Sequence, residues 1–454
     1  MRPHRRAAPP VPSGGRPRRP RLLAVALAAL LATAAGCASV ARWRGGGGTS
    51  PAPDPSLQPQ VERFRAAAAA RLPARATLDE ADLQRFAVAL TLTRDRFVDP
   101  VDPRALADAA IAGLDAPADG PPRGDGAALV EAGLTAMLAS LDPHSAYIGP
   151  DLFAELHSDR RGQFGGVGLE ITKREGMVTI VTPIEGGPAA RAGVVAGDQL
   201  LAIGDAPVRG QNLVEVVRQL RGPTGSTVGL TVRRQATDEV ATIALVREVV
   251  QIRPVTSERI GERIGYVRIT QFGERTTGAL TDALAALQGE GPLDILVLDL
   301  RDNPGGLLTE AVRVADAFLD SGTIVATEGR AEERQVFSAH PVGTWRGRLV
   351  VLVNGGSAAG SEILARALQA HGRAAVVGAP TAGNGTIQTV LPLDEQAALR
   401  LTTSRAHDPS GAPLDRGVQP DLVFEEARGA APPSARDAVV TAALRHLAGG
   451  GGPP

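Results

Sequence analysis

The chain has 454 residues, 43% of them hydrophobic, which is too long for one ordinary core and supplies apolar side chains for two or three. Lys+Arg 48 against Asp+Glu 49 leave a formal net charge of -1, so no global field draws the chain to nucleic acid, and none is expected as a partner. The single cysteine, Cys37, excludes an intramolecular disulfide and any multi-cysteine metal site; neither metal nor cofactor is expected. Lys173 is the only lysine, so most basic residues are arginines suited to solvated surface roles and unable to act as bases.

Residues 1–37 read as an address. Arginines run to Arg21, Leu22–Ala35 is apolar and uncharged but too short to span a bilayer securely, and Ala34-Ala35-Gly36 precede Cys37. Small residues before a lone cysteine resemble a bacterial lipoprotein signal, which implies lipidation of Cys37 and an exported, periplasmic, membrane-tethered protein. Residues 38–75, rich in Gly, Pro and Ala without a sustained amphipathic period, are expected to form a flexible linker.

Residues 76–161 carry helical spacing, as in Phe86, Leu90 and Phe97 or Leu129, Leu134, Met137, Leu138 and Leu141. Asp142-Pro143-His144-Ser145 ends this helical segment and reads as a capped turn rather than as a catalytic group. From 162 to 241 the pattern becomes short strands with glycine punctuation and one helix, Leu213–Leu220. Its motifs are Phe164–Ile171, Pro188–Gly193, Gly197–Ile203 and Thr227–Arg233, and in that order they resemble a PDZ domain. The glycines of Gly166-Val167-Gly168-Leu169 let backbone N–H groups converge on a terminal carboxylate, and the following strand offers its edge to an extended peptide. Protein or peptide C-termini are the partners this implies.

Beyond Arg263 apolar strands alternate with helices: Ile264–Ile269, Asp294–Leu300, Leu349–Val353, a helix through Ile363, Leu364, Ala367 and Leu368, then Ala374–Val377 and Leu399–Thr403. A core over 250–426 and a tail over 427–454, with a helix at Ser434–Leu447, complete the chain.

The segments Leu141–Tyr147, Gly265–Phe272, Asp299–Gly306, Ser357–Ile363, Gly383–Gln388 and Arg416–Asp421, with the PDZ segment between the first two, are similar to those of the C-terminal processing peptidases, or tail-specific proteases, of serine peptidase class S41. The resemblance implies an α+β multidomain fold of helical N-terminal segment, PDZ domain and ClpP/crotonase-like α/β protease core. It also implies a serine nucleophile with a lysine base. The family's Ser-Ala-Ser-Ala-Ser-Glu is here Ser357-Ala358-Ala359-Gly360-Ser361-Glu362, so the nucleophile's position is Ala359. The lysine of its Gly-Lys-Gly falls at Asn384, and Gln388 matches a supporting residue. Alanine has no attacking oxygen and an amide takes no proton near neutral pH, so no catalytic residue is assigned and a pseudoprotease is expected. Gly305 or Gly306, with Gly360, are the candidate oxyanion-hole donors. Two other readings compete: an active endopeptidase with Ser357 or Ser361 as relocated nucleophile and His371 or His407 as base, and a scaffold that neglects its groove. Ser361 is expected to serve instead as N-cap of the helix from Glu362, and His371 to pack at that helix's end.

Overall fold

The computed structural model describes residues 52–448 apart from 73–76, 116–125, 151–152, 154–162 and 425–433 and the shorter stretches 175–176, 185, 196, 210, 212, 235–236, 252, 332 and 342–344. The signal segment and Cys37 lie outside the described residues.

Four helices open the described chain: α1 (Gln58–Ala69), α2 (Glu80–Arg96), α3 (Pro103–Gly113) and α4 (Gly126–Ala139). Asp79 caps α2 by accepting from Ala81 N–H, with Glu80 and Asp82 in its first turn and Arg94 and Arg96 in its last, as the helix dipole favours. Helix α1 corrects the expectation of a flexible 38–75 linker. Leu57, Val61, Phe64 and Ala68 form a stripe at helical spacing and all are buried, and the Phe64 ring stacks on Phe86 with centroids 3.9 Å apart. The alanine run at 66–70 obscures the end of this stripe in the sequence.

After β1 (Ala146–Ile148) and β2 (Gln163–Gly166) comes a sheet of β3 (Leu169–Arg174), β4 (Met177–Pro183), β5 (Gln199–Ile203), β7 (Thr227–Arg233) and β8 (Val240–Val246), in that order. Short β6 (Ala206–Pro207) pairs with β5, and helices α5 (Pro188–Arg191) and α6 (Leu213–Leu220) lie between its strands in the chain. Val167, Ile171, Ile180, Leu200, Val216 and Leu230 form its separate core. This unit extends past the expected end at 241: β8 pairs with β7 along its whole length, and β9 (Glu248–Gln251) returns to pair with β2.

The C-terminal half carries two sheets. One orders β10 (Val255–Arg259), β11 (Ile264–Ile269), β12 (Ile295–Asp299), β15 (Arg348–Val353), β16 (Ala375–Gly378) and β19 (Leu422–Val423), parallel from β11 onward. The stretches Ile295–Leu298 of β12 and Leu349–Val353 of β15 are continuously apolar because both faces of the sheet are covered. Leu296, Leu298, Val351 and Val353 join a core with helices α7 (Thr276–Gly289), α8 (Leu308–Asp316) and α9 (Gly360–Ala370). Val297, Val350 and Leu352 pack with α10 (Ala438–Ala448) on the other face. That last helix starts four residues later than expected, at Ala438 instead of Ser434, since the Asp437 carboxylate accepts from Val440 N–H and sets its start.

The second sheet, antiparallel, orders β1, β18 (Ala398–His407), β13 (Thr323–Gly329) and β14 (Gln335–Ser338), with β17 (Thr386–Pro392) also on β18. Leu393, Ala397, Leu399 and Leu401 of its β17–β18 hairpin complete the core of the N-terminal helices. Arg85 to Asp394 at 2.6 Å and Arg405 to Asp99 at 2.7 Å reinforce that junction.

Candidate functional site

The parallel strands β12, β15 and β16 end at Asp299, Val353 and Gly378, and the loops that follow them converge beyond the sheet's carboxyl edge. The first loop is held by Asn303: its Oδ1 accepts from Gly305 N–H (2.9 Å) and its Nδ2 donates to Ile269 O (2.9 Å). Gly305, at φ +101°, lies so near the neighbouring loop that a Cβ there would stand 2.9 Å from Ala359 Cβ and Gly360 N, which only glycine accommodates. With the Gly305 N–H engaged by Asn303, the choice between Gly305 and Gly306 narrows to Gly306. Neither Gly306 N–H nor Gly360 N–H has a hydrogen-bond acceptor among the described residues.

The second loop turns sharply at Ala359, φ 48° and ψ -108°, a conformation strained for a residue with a Cβ. Helix α9 begins immediately after it. Its third residue, Glu362, is fully buried and gathers the site. Oε2 of Glu362 accepts from the backbone N–H of Ala359 (2.8 Å) and of Asn384 (2.9 Å); Oε1 accepts from Thr381 Oγ1 (2.5 Å) and Gly383 N–H (2.7 Å). Burial pushes the Glu362 carboxyl above its ordinary pKa despite these four donors. Positions 359 and 384 are thus tied to one carboxylate oxygen, although twenty-five residues separate them in the chain.

Asn384 is half-buried, and its Oδ1 accepts from Thr386 Oγ1 (2.7 Å), which in turn accepts from Gln388 Nε2 (2.7 Å). The structure therefore brings Ala359, Asn384 and Gln388 into one connected set. Thr381, Thr386, Asn303 and Glu362 were not singled out by sequence reasoning; only the spacing of Glu362 behind the turn, as in a capping box, signalled one of them.

The serines near the turn are committed elsewhere. Ser357 is fully buried, donating to Leu300 O (2.8 Å) and accepting from Asn354 N–H (3.0 Å). Ser361 is not the N-cap: helix α9 starts two residues earlier than expected, at Gly360, and Ala359 occupies the cap position. The Ser361 hydroxyl, inside the first turn and fully buried, donates to Asn303 O (2.9 Å). His371 sits at the end of α9 with Nε2 2.7 Å from Thr323 O. His407 lies on β18 with Nδ1 buried and unpartnered among the described residues. Asp142 accepts from His144 N–H and Ser145 N–H as a turn residue, and burial lowers the His144 pKa.

In the smaller sheet, Gly168 adopts φ +72° between β2 and β3, and its O accepts from Ile184 N–H while Val167 O accepts from Ala189 N–H. The loop Gly166-Val167-Gly168-Leu169 is thereby fixed through its carbonyls. The N–H groups of Val167 and Gly168 have no acceptor among the described residues. Strand β3 is the terminal strand of its sheet, with one edge unpaired among the described residues.

A small β domain with an open edge, inserted between a helical segment and a three-layer core whose loops meet at a strained turn on a helix N-terminus, defines a peptidase-type architecture. The pattern of Peptidase family S41 matches residues 263–424 and that of the PDZ domain residues 179–234. A carboxy-terminal-processing protease of Bartonella bacilliformis is 42% identical over 304 residues, 66% of this chain and 70% of its own. A carboxyl-terminal-processing protease of Picosynechococcus is 38% identical over 297 residues, 64% of this chain and 72% of its own. Among solved structures, a photosystem II D1 C-terminal processing protease is 32% identical at a TM-score of 0.54, covering 77% of this chain and 94% of that one. The chain belongs to the C-terminal processing peptidases of family S41, and carries a PDZ domain.

Proposed function

We propose that this protein is an exported, lipid-tethered pseudoprotease that holds protein C-terminal tails in its PDZ groove and protease-like cleft without cutting them. The observation that carries this reading is the joint anchoring of Ala359 and Asn384 on Glu362. By the resemblance of Ser357–Glu362 and Gly383–Gly385 to the family's segments these are the positions of nucleophile and base, and their contact through one carboxylate supports pairing them here. A methyl group and an amide stand where an attacking hydroxyl and a proton-accepting amine are required. Loss of such a nucleophile costs on the order of 10⁶-fold in turnover. The commitment of Ser357 and Ser361 to carbonyl acceptors argues against a relocated nucleophile.

Gly306 and Gly360, whose N–H groups have no acceptor among the described residues, lie on either side of the turn with Gly360 at a helix N-terminus, and support an oxyanion or carboxylate subsite that survives the loss of the dyad. Val167 and Gly168 N–H in the smaller domain support capture of a chain-terminal carboxylate, with the β3 edge pairing the residues before it.

The test is incubation of the purified protein with an unfolded substrate bearing an apolar C-terminus, following binding and cleavage together. Binding without cleavage is expected, weakened by Gly168→Glu, which sets bulk and negative charge in the loop. Cleavage abolished by Ser357→Ala or Ser361→Ala refutes the pseudoprotease reading, and affinity unchanged in Gly168→Glu refutes the tail-binding mode. For the tether, Cys37→Ser is expected to release the protein from the membrane fraction; retention there refutes lipidation at Cys37.

A further inference from the structure

The sheet of the smaller domain has a second edge, at the end away from β3, formed by β8. This strand reads Val240-Ala241-Thr242-Ile243-Ala244-Leu245-Val246, seven residues without a charge or a proline, and it pairs with β7 without a register shift. Strand edges that face solvent are ordinarily blunted by a charge, a proline or a bulge, because a row of free N–H and C=O groups templates pairing with another chain. The edge of β8 carries none of these devices.

The β7–β8 ladder fixes which backbone groups are open. Arg234 N–H donates to Glu239 O at one end of the pair and Arg247 N–H to Ser226 O at the other, both at 2.8 Å. Bonded positions alternate along an antiparallel pair, so Ala241, Ile243 and Leu245 direct their N–H and C=O to β7, while those of Val240, Thr242, Ala244 and Val246 point away from it. No strand pairs with β8 on that side among the described residues. The side chains of the same four residues are exposed, Val240 at 52% and Val246 at 47%.

From this open, uncharged edge and its self-complementary order of residues, we infer that β8 is the contact of a two-fold dimer, in which a second copy of this chain adds its own β8 antiparallel. Centred on Ile243, the pairing sets Val240 of each copy against Val246 of the other and Thr242 against Ala244, so every outward-pointing N–H and C=O meets a complement. The two exposed valines become a cross-strand apolar pair. Just beyond them, Glu239 of one copy faces Arg247 of the other. Glu239 is exposed without an ion pair among the described residues, and the Arg247 guanidinium bonds there only to Leu220 O, Gln219 O and Ser226 Oγ. Centring on Ala241 or Leu245 keeps the backbone groups in phase but shortens the overlap and separates the valines. An unrelated extended peptide meets the same backbone groups, whereas a copy of this chain matches both valines and both charges by symmetry. Each β3 edge stays free, at the far end of its sheet.

Cys37 is the only cysteine, so the full-length Cys37→Ser protein is a background in which one introduced thiol reports the register. On the two-fold, Ile243 meets its own copy in a non-hydrogen-bonded pair, with Cα atoms about 4.5 Å apart and within disulfide reach. The two copies of position 240 lie about 20 Å apart, six residues of extended chain. Under mild oxidation of the purified protein, Ile243→Cys is expected to form a disulfide-linked dimer and Val240→Cys is not. Adding Ala244→Lys to Ile243→Cys is expected to abolish the cross-link while circular dichroism stays parental, because a charge on the edge blocks pairing. In the parent protein, hydrogen exchange at the Thr242 and Ala244 N–H groups is expected to slow as protein concentration rises. Equal cross-linking at 243 and 240, or a cross-link that survives Ala244→Lys, overturns the pairing. So does exchange at those two amides that is independent of concentration; slowing only when a peptide with an apolar C-terminus is added assigns the edge to a foreign strand and refutes the dimer.

Discussion

Glu362→Gln tests which of two opposed effects governs the site. Replacing a fully buried carboxylate by a neutral isostere removes a desolvation cost, and that cost is what holds the Glu362 pKa high. Against this stand three backbone N–H groups and one hydroxyl that donate to its two oxygens at 2.5 to 2.9 Å. Glutamine offers one acceptor oxygen. In its cheaper orientation the amide nitrogen faces Thr381 Oγ1, which can accept, and Gly383 N–H, which cannot. One orphaned donor costs about 1–3 kcal/mol, so the substitution is expected to destabilise by about 2 kcal/mol. Glu362→Ala orphans the donors of Ala359, Gly383 and Asn384 together and is expected to cost about 3–5 kcal/mol. At about 2–4 °C per kcal/mol for a domain of this size, the glutamine variant should melt about 4–8 °C below the parent in calorimetry at neutral pH. A glutamine variant melting at or above the parent would show that desolvation wins and that the four-donor clamp does not hold the loops.

Three further outcomes follow from particular contacts. Ala359→Gly removes the strain of a Cβ at φ 48° and is expected to raise the melting temperature by the equivalent of about 1 kcal/mol, an unusual gain for a glycine substitution at the head of a helix; a fall in melting temperature contradicts the strain. Phe64→Ala opens a cavity beside Phe86 and should cost about 3–5 kcal/mol, whereas a variant of parental stability would return residues 58–69 to a linker. Asp437→Asn removes one anionic partner of fully buried Arg301, which keeps its ion pair with Asp299, and should cost about 1–3 kcal/mol. Burial raises the Asp437 carboxyl, but the Arg301 hydrogen bond and the N–H groups of Ser434 and Val440 outweigh it and hold the pKa below the ordinary value. Its contribution is therefore present at neutral pH and lost as pH falls through that lowered value, so the gap between parent and Asp437→Asn should close on acidification. A gap that widens refutes the pairing.

Much of the order of elements was legible in the primary sequence. Apolar runs such as Leu349–Val353 marked strands covered on both faces, and glycine-punctuated short strands marked the PDZ segment, because these patterns are set by local periodicity and backbone sterics. The residue types at 359 and 384, and hence the chemistry they lack, are properties of the chain alone. Other features needed the tertiary structure. Helix α1 is defined by Phe64 meeting Phe86, a contact across the chain that alanine-rich local sequence masks. The role of Ser361 turned on where α9 begins, decided by the strained turn packed against Gly305. The meeting of Ala359 with Asn384 on Glu362 depends on which loops a parallel sheet gathers at its carboxyl edge. Periodicity specifies which face of an element is buried; long-range strand order and loop convergence decide which distant side chains share a site.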